Sequence, residues 1–375
     1  MSWPMVKLHD ICRPKQWKTI AASSLLESGY PVYGANGKIG FYSKFTHEFP
    51  TLMITCRGAT CGNVHISEPM AYINGNAMAL DDVDRNKVDI KYLYYFFLKR
   101  GFDDVISGSA QPQITGQGLT KVEIPLPPLL EQKRIAAILD KANDIRQKRE
   151  QATKLADDFL RATFLDMFGD PVENPKKLKK APITELADVI TGFAFKSNEY
   201  ISDTSESVRL CRGANTLTGY LDWADTKFWP KNKIEKLDNY LINAGDIILA
   251  MDRPWISSGL KVCIFPENQR ETYLVQRVAR LRPRCESYTN YIYSCIKSPA
   301  FEKHCCPTET TVPHISPVEL KNFEVLIPPD HLIVNFHSIA SMINNSLNKM
   351  ASGDINSDAL FSKLSQQAFS GHLKR

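Results

Sequence analysis

No run of about 18 apolar residues occurs anywhere in the 375-residue chain, so the hydrophobic helix that a membrane span requires is not expected. The opening Met1-Ser2-Trp3-Pro4 lacks the charged and then apolar pattern of a secretory leader. Nine cysteines are present, but their number is odd, no Cys-x2-Cys pair occurs and no framework spacing emerges. Reduced thiols in a cytoplasmic chain are therefore expected, and a metal site is not. His304-Cys305-Cys306 are adjacent residues whose side chains diverge, and His331 and His337 miss the i, i+4 spacing of helical ligands. Charge is not one-sided either: 46 basic residues against 41 acidic ones give +5. Bulk charge of that size leans basic but decides nothing about a polyanion partner, so any such site must come from local clustering.

Catalytic signatures are equally scarce. Asn174-Pro175-Lys176-Lys177 falls short of the Asn/Asp-Pro-Pro-aromatic motif of an amino-methyltransferase. Gly34-x2-Gly37-Lys38-Ile39 has neither the spacing nor the hydroxyl of a phosphate-binding loop, and reads as a hairpin turn. Glu319-Leu320-Lys321 has no Pro-Asp strand ahead of it to complete a nuclease site. No catalytic residues are expected.

What the chain does have is a long repeat. The stretch from Pro112 to Phe168 returns without a gap 201 residues later. Pro112-Gln113-Ile114-Thr115 becomes Pro313-His314-Ile315-Ser316, Leu119 becomes Leu320, Pro127-Pro128 becomes Pro328-Pro329, and Phe168 becomes Phe369. Solenoid units run to roughly 20–50 residues, so this period implies two copies of a whole module. Such a chain can carry an internal two-fold, which is also the symmetry of the DNA backbone.

Four segments follow from the pattern. Residues 1–127 and 170–329 have strand-and-turn texture; residues 128–169 and 330–375 read as long helices. In the first segment, Thr51 to Thr55 and Val122 to Ile124 are strand-like, and Ile90 to Leu98 reads as a buried helix capped by Asp89. In the third, Asp246 to Ala250 reads as a buried strand. Tyr273 to Arg282 reads as a half-exposed one, with Gln276, Arg280 and Arg282 on the outer face.

The second segment starts after Pro127-Pro128, with Pro128 suited to a first helical turn and Glu131 favouring the positive end of the dipole. Ile135, Ile138, Ala142, Ile145, Arg149, Ala152, Ala156, Phe159 and Thr163 then follow 3-4 spacing, a heptad seam. About 36 residues give a rod of roughly 50 Å. The second rod has the poorer seam of Phe336, Ile339, Ile343 and Leu360, with a possible break at Gly353. A heptad stripe needs cover from water, and the simplest cover for one rod is the other, packed antiparallel. The expected fold is α+β: two mixed domains separated by two long antiparallel coiled-coil helices with a pseudo-two-fold.

Several motifs taken in order resemble the specificity subunit of type I restriction–modification systems. They are Gln111 to Thr115, Ile124 to Ile135 (IPLPPLLEQKRI), Phe164 to Pro171 (FLDMFGDP) and Leu364 to Gly371 (LSQQAFSG), with the turns Tyr33 to Gly40 and Arg57 to Gly62. The resemblance covers the whole chain in the family's order. It implies a non-catalytic subunit with two target-recognition domains, each reading half of a split double-stranded DNA target. It further implies spacer helices that dock two methyltransferase subunits, with restriction translocase subunits joining the assembly. Adenine N6 methylation would use S-adenosylmethionine held by the partner, with no cofactor on this chain. The alternative is a coiled-coil scaffold that joins enzymes without binding DNA.

Base edges and phosphates are read by Arg, Lys, Asn and Gln. Beside glycine-rich turns or the repeated Pro-x-Ile, the residues of that kind are Lys38, Arg57, Gln111 and Gln113 in the first half. In the second they are Lys196, Arg212, Arg253, Gln276, Arg277 and His314. Spacer and docking roles fall to Ile135, Ile138, Ile145, Phe159, Phe336, Ile339, Ile343 and Leu360.

Overall fold

A computed structural model describes residues 3–108, 111–306, 314–351 and 357–373. The chain forms two compact units, one from Met1–Gln151 with Met350–Arg375, the other Ala152–Lys349.

The first unit contains β1 (Met5–Lys7), β2 (Arg13–Gln16), β3 (Tyr30–Gly34), β4 (Gly37–Tyr42), β5 (Leu52–Thr55), β6 (Val64–Ile66), β7 (Tyr72–Ile73) and β8 (Ala77–Asp81). Next come α1 (Ile90–Arg100), α2 (Gly116–Thr120), β9 (Glu123–Pro125) and the start of α3 (Leu129–Phe168). Its sheets run β2-β8-β5-β6, β4-β3-β7 and β1-β9. β5 is wholly buried and flanked on both sides, which suits its unbroken Leu-Met-Ile-Thr run. The Asp89 carboxylate accepts from the Lys91 and Tyr92 amides and starts α1 as expected.

The second unit holds β10 (Lys179–Pro182), β11 (Ala187–Thr191), β12 (Ser207–Cys211), β13 (Lys227–Pro230), β14 (Ile247–Ala250), β15 (Trp255–Ile256), β16 (Gly259–Leu260), β17 (Val262–Ile264), β18 (Thr272–Leu274) and β19 (Val278–Pro283). It continues through α4 (Thr289–Ile296), α5 (Pro299–Cys305), α6 (Pro317–Asn322), β20 (Glu324–Ile327) and α7 (Asp330–Ala351); α8 (Ser357–Phe369) belongs to the first unit. Its sheets run β11-β19-β14-β17, β13-β12-β18 and β10-β20, with a further two-stranded β15-β16 ribbon. The first three of these orders reproduce those of the first unit position for position, down to one parallel pairing, β3 with β7 and β12 with β18; the β15-β16 ribbon has no equivalent among the first unit's described strands. The duplication therefore includes the segments whose sequences diverge.

The two cores are closed in the same way. Tyr92 Oη donates to the Pro125 carbonyl at 2.6 Å, and Tyr291 Oη to the Leu326 carbonyl at 2.7 Å. The Tyr92 ring meets Phe369 edge-on at 5.5 Å, and Tyr291 meets Phe168 at 4.8 Å. Each core thus takes the start of one helix and the end of another. Ile135 and Leu139 of α3 join Ala368 of α8 in the first unit; Ile333 and Phe336 of α7 join Phe164 and Phe168 of α3 in the second. Within the first unit α3 and α8 run antiparallel, since Arg146 lies over the Phe361 ring while Ile135 and Leu139 share a cluster with Ala368.

Several expectations need correction. α3 begins at Leu129, one residue after Pro128, whose carbonyl accepts from the Glu131 and Gln132 amides. It has 40 residues, about 60 Å. It stops where Gly169 takes φ +82, a site where an added Cβ would lie 2.8 Å from Pro175. The heptad seam is offset: Ile145 and Phe159 are 49% and 55% exposed, while Leu139 is buried in place of the half-buried Ile138. A straight helix drifts against a strict seven-residue repeat, and the head cores fix its rotation at the ends. Tyr273 to Arg282 is two strands broken by a turn at 275–277. Arg280 is buried beside Asp188, and Arg282 forks onto the buried Asp246, so neither lies on an open face. Gly353 lies outside the described residues.

Candidate nucleic-acid interface

In the first unit, β5 delivers the chain to Cys56 and Arg57. The Cys56 carbonyl accepts from the Ile114 amide at 3.0 Å, Arg57 lies opposite Gln113 in a β-bridge, and the Gly58 amide donates to the Pro112 carbonyl. Gln113 is also paired in both directions with Ser107. Ile114 is buried as the anchor, while Gln111 and Gln113, two apart on an extended segment, share the outer face and are exposed. The tip of the β3–β4 hairpin is tied in: Thr55 Oγ1 donates to the Ala35 carbonyl and Thr60 Oγ1 to Asn36 Oδ1. Arg57, Gln111 and Gln113 are thus brought together. Lys38, on the same hairpin, is paired instead with Glu68, its Nζ 3.2 Å away and lying over the Phe41 ring.

The second unit repeats this frame with different side chains. The Met251 carbonyl accepts from the Ile315 amide at 2.9 Å, and Asp252 faces His314 in the equivalent bridge. The Met251 amide donates to the Arg277 carbonyl, which brings the β18–β19 turn to the same spot. Asp252 Oδ2 accepts from Arg277 Nη1 at 2.7 Å, and Oδ1 lies 2.6 Å from His314 Nδ1. Arg277 and Arg253 take φ +68 and +44, left-handed positions uncommon for such side chains. Burial raises the Asp252 carboxyl, but hydrogen bonds from Arg277 and His314 hold it below its ordinary value. Lys261 is pulled down by burial and partly restored by Asp252. Arg277 and His314 thus hold one carboxylate, Lys261 feels its charge, and Arg253 follows it in the chain.

The remaining sequence choices divide. Gln276 is exposed in the same turn as Arg277; its amide donates to the Phe193 carbonyl, and the exposed Lys196 follows Phe193 by three residues. Gly192 lets that strand pass, since a Cβ there would sit 2.2 Å from the Val275 carbonyl oxygen. Arg212 is held by Asp225, whose Oδ2 lies 2.8 Å from its Nη2 and ties down the 212–226 loop. Asp252, Lys261 and Asn36 escaped notice in the sequence. Asp252 and Lys261 flank the buried β14 and β17 and carry no motif; only the return of the Pro-x-Ile segment pointed toward them.

Both clusters offer exposed, pre-positioned donors on rigid strand ends, the arrangement that groove reading needs. Among the described residues no His, Cys, Asp or Glu group is arranged to hold a metal ion. No helix of the described residues is long and apolar enough to cross a membrane.

Residues 2–154 match the family model of the type I restriction modification DNA specificity domain. The MjaVIII specificity subunit of Methanocaldococcus jannaschii is 22% identical over 353 residues, covering 87% of this chain and 82% of that protein. Along most of its length, then, the chain is similar to type I restriction–modification specificity subunits. A second relative, the EcoAI specificity subunit of Escherichia coli, is 31% identical over 153 residues, 40% of this chain and 26% of that one. The S subunit of a type I restriction–modification system from M. genitalium shares the fold, with a TM-score of 0.69 at 14% identity over 98% of this chain and 96% of that one. The family match covers the Arg57 cluster and the first part of α3, and the second cluster is its structural repeat.

Proposed function

We propose that this specificity subunit reads a bipartite double-stranded DNA sequence, one half through each unit, and lends that address to partner enzymes. The observation that carries this reading is the paired frame: Arg57 opposite Gln113 and Asp252 opposite His314, on the same strand ends of duplicated sheets, with different side chains. An identical frame with unlike donors suits two unlike half-sites. The subunit itself catalyses nothing in this reading. Two methyltransferase subunits, binding along the helices and carrying S-adenosylmethionine, methylate adenine N6 in each strand, and restriction subunits join them in the cytoplasm. The exposed Ile145, Leu155 and Phe159 of α3 give such partners apolar contacts.

Methylation sequencing of host DNA, with and without the gene, tests the whole reading. A split motif methylated on both strands is expected. Its absence, together with a gel shift of the methyltransferase-bound subunit that shows no sequence preference, would favour a scaffold that does not bind DNA. Within the same assay, Arg57→Ala should weaken DNA binding by the assembled complex about tenfold or more, as loss of a base or phosphate contact does. Unchanged affinity in a filter-binding titration removes Arg57 from the interface.

A further inference from the structure

Asp252 has no counterpart in the first unit, where the equivalent position is Arg57. It stands where three segments meet: the end of β14, the β18–β19 turn and the extended stretch ahead of α6. One oxygen takes Arg277 Nη1 at 2.7 Å; the other takes His314 Nδ1 at 2.6 Å. Arg277 remains 67% exposed and His314 50%, so the carboxylate holds two side chains that would otherwise sweep the solvent. An exposed ion pair contributes little to folding, so stability alone gives scant reason to place an acid among Arg253, Lys261 and Arg277. An acid there also weakens general attraction for phosphate. What it supplies is orientation. With Nη1 held, the guanidinium loses part of its freedom, while the 67% exposure of the side chain leaves the rest of the fork open to a ligand.

We propose that Asp252 is a positioning residue that presents Arg277 to a guanine in the half-site read by the second unit, with His314 fixing the carboxylate. This rests on the DNA-reading function proposed above and names the base class at one position. The physical basis is the match between the arginine fork and the guanine O6 and N7 acceptors, which discriminates against other bases only when the fork is aimed. A phosphate contact would use the same charge without needing the plane.

The test uses the subunit assembled with its methyltransferase, on a library of DNA sites with every position varied. Two variants separate the alternatives. Asp252→Asn keeps the shape but cannot serve both neighbours as a charged acceptor; Arg277→Lys keeps the charge and loses the fork. Both are expected to relax selection at the same single guanine, by about ten- to a hundredfold, while selection in the other half-site stays as in the wild type. Arg57→Ala, made in parallel, should leave that guanine untouched.

A uniform drop in binding with base preferences unchanged would mean that Arg277 sits on a phosphate, or that Asp252 serves only the loop, and overturns the proposal. So does an unaltered preference in both variants. A wild-type complex with no sequence preference at all overturns the DNA-reading function and this inference with it. That failure is separable, because it is seen before any variant is made.

Discussion

Gln132 shows how much one side chain can hold. It is fully buried, its Oε1 accepts from the Asp89 amide, and its Nε2 donates to the Lys87 and Pro127 carbonyls. Each of those three backbone groups would be stranded by Gln132→Ala, which should cost the first unit about 3 kcal/mol, read by urea unfolding with segment-resolved hydrogen exchange. Its repeat position is Ile333, a plain core residue, so the same substitution test in the second unit probes packing alone. Arg212 illustrates the converse. Lys227 and Arg212 together hold the Asp225 carboxyl at about 2, against 3.8 ordinarily. A lowered folded value adds stability that is complete above the ordinary value and is lost as pH falls through the folded one. Amide protection across the 212–226 loop should therefore hold from pH 7 to near 5 and fall away between about 4 and 2. At this scale the sequence revealed residue types and neighbouring turns but not pairings. Arg57 and Gln113 could be named from motifs, whereas Arg212 and Arg280 look no different in sequence and prove to be tied down or buried.

Single elements were more legible, because their signals are local. The Asp89 cap, the aromatic run of α1, the double proline before α3 and the glycine after it all act within a few residues. The plan shared by the two heads was not legible. Sheet order depends on pairings between distant segments, and insertions disguise it: β3 and β4 are joined by a two-residue turn, while β12 and β13 enclose the 212–226 loop. The seam of α3 was misplaced for a related reason. Heptad counting assumes one helical partner throughout, yet the helix ends answer to head cores. Phe164 and Phe168, outside the inferred seam, are buried there. Phe168→Ala should thus cost about 3–5 kcal/mol in the second unit. Its repeat mate Phe369 is only half-buried, so Phe369→Ala should cost clearly less in the first unit. Equal midpoint shifts in denaturant for the two variants would contradict this account of the paired cores.

At the scale of the whole molecule, the first unit is made from both ends of the chain. The Trp3 indole donates to the Ala368 carbonyl at 3.1 Å, and Phe361, Leu364, Ala368 and Phe369 complete a core otherwise built from residues before 152. The second unit needs nothing beyond Lys349. Removing residues 357–375 should therefore act far from the cut in sequence. Phe361, Leu364 and Phe369 are partly buried, so each forfeits less than the roughly 1.5–3 kcal/mol of a fully buried side chain, but their loss also opens the core around Tyr92 to water, against the 5–15 kcal/mol that holds an ordinary domain. The expected outcome is protease sensitivity and fast amide exchange throughout residues 3–108, with protection retained in β10 to β20. If the truncated chain stays protected around Tyr92 and Leu139, the C-terminal helix is an accessory, and a first unit closed by both ends of the chain is the wrong description of how it folds.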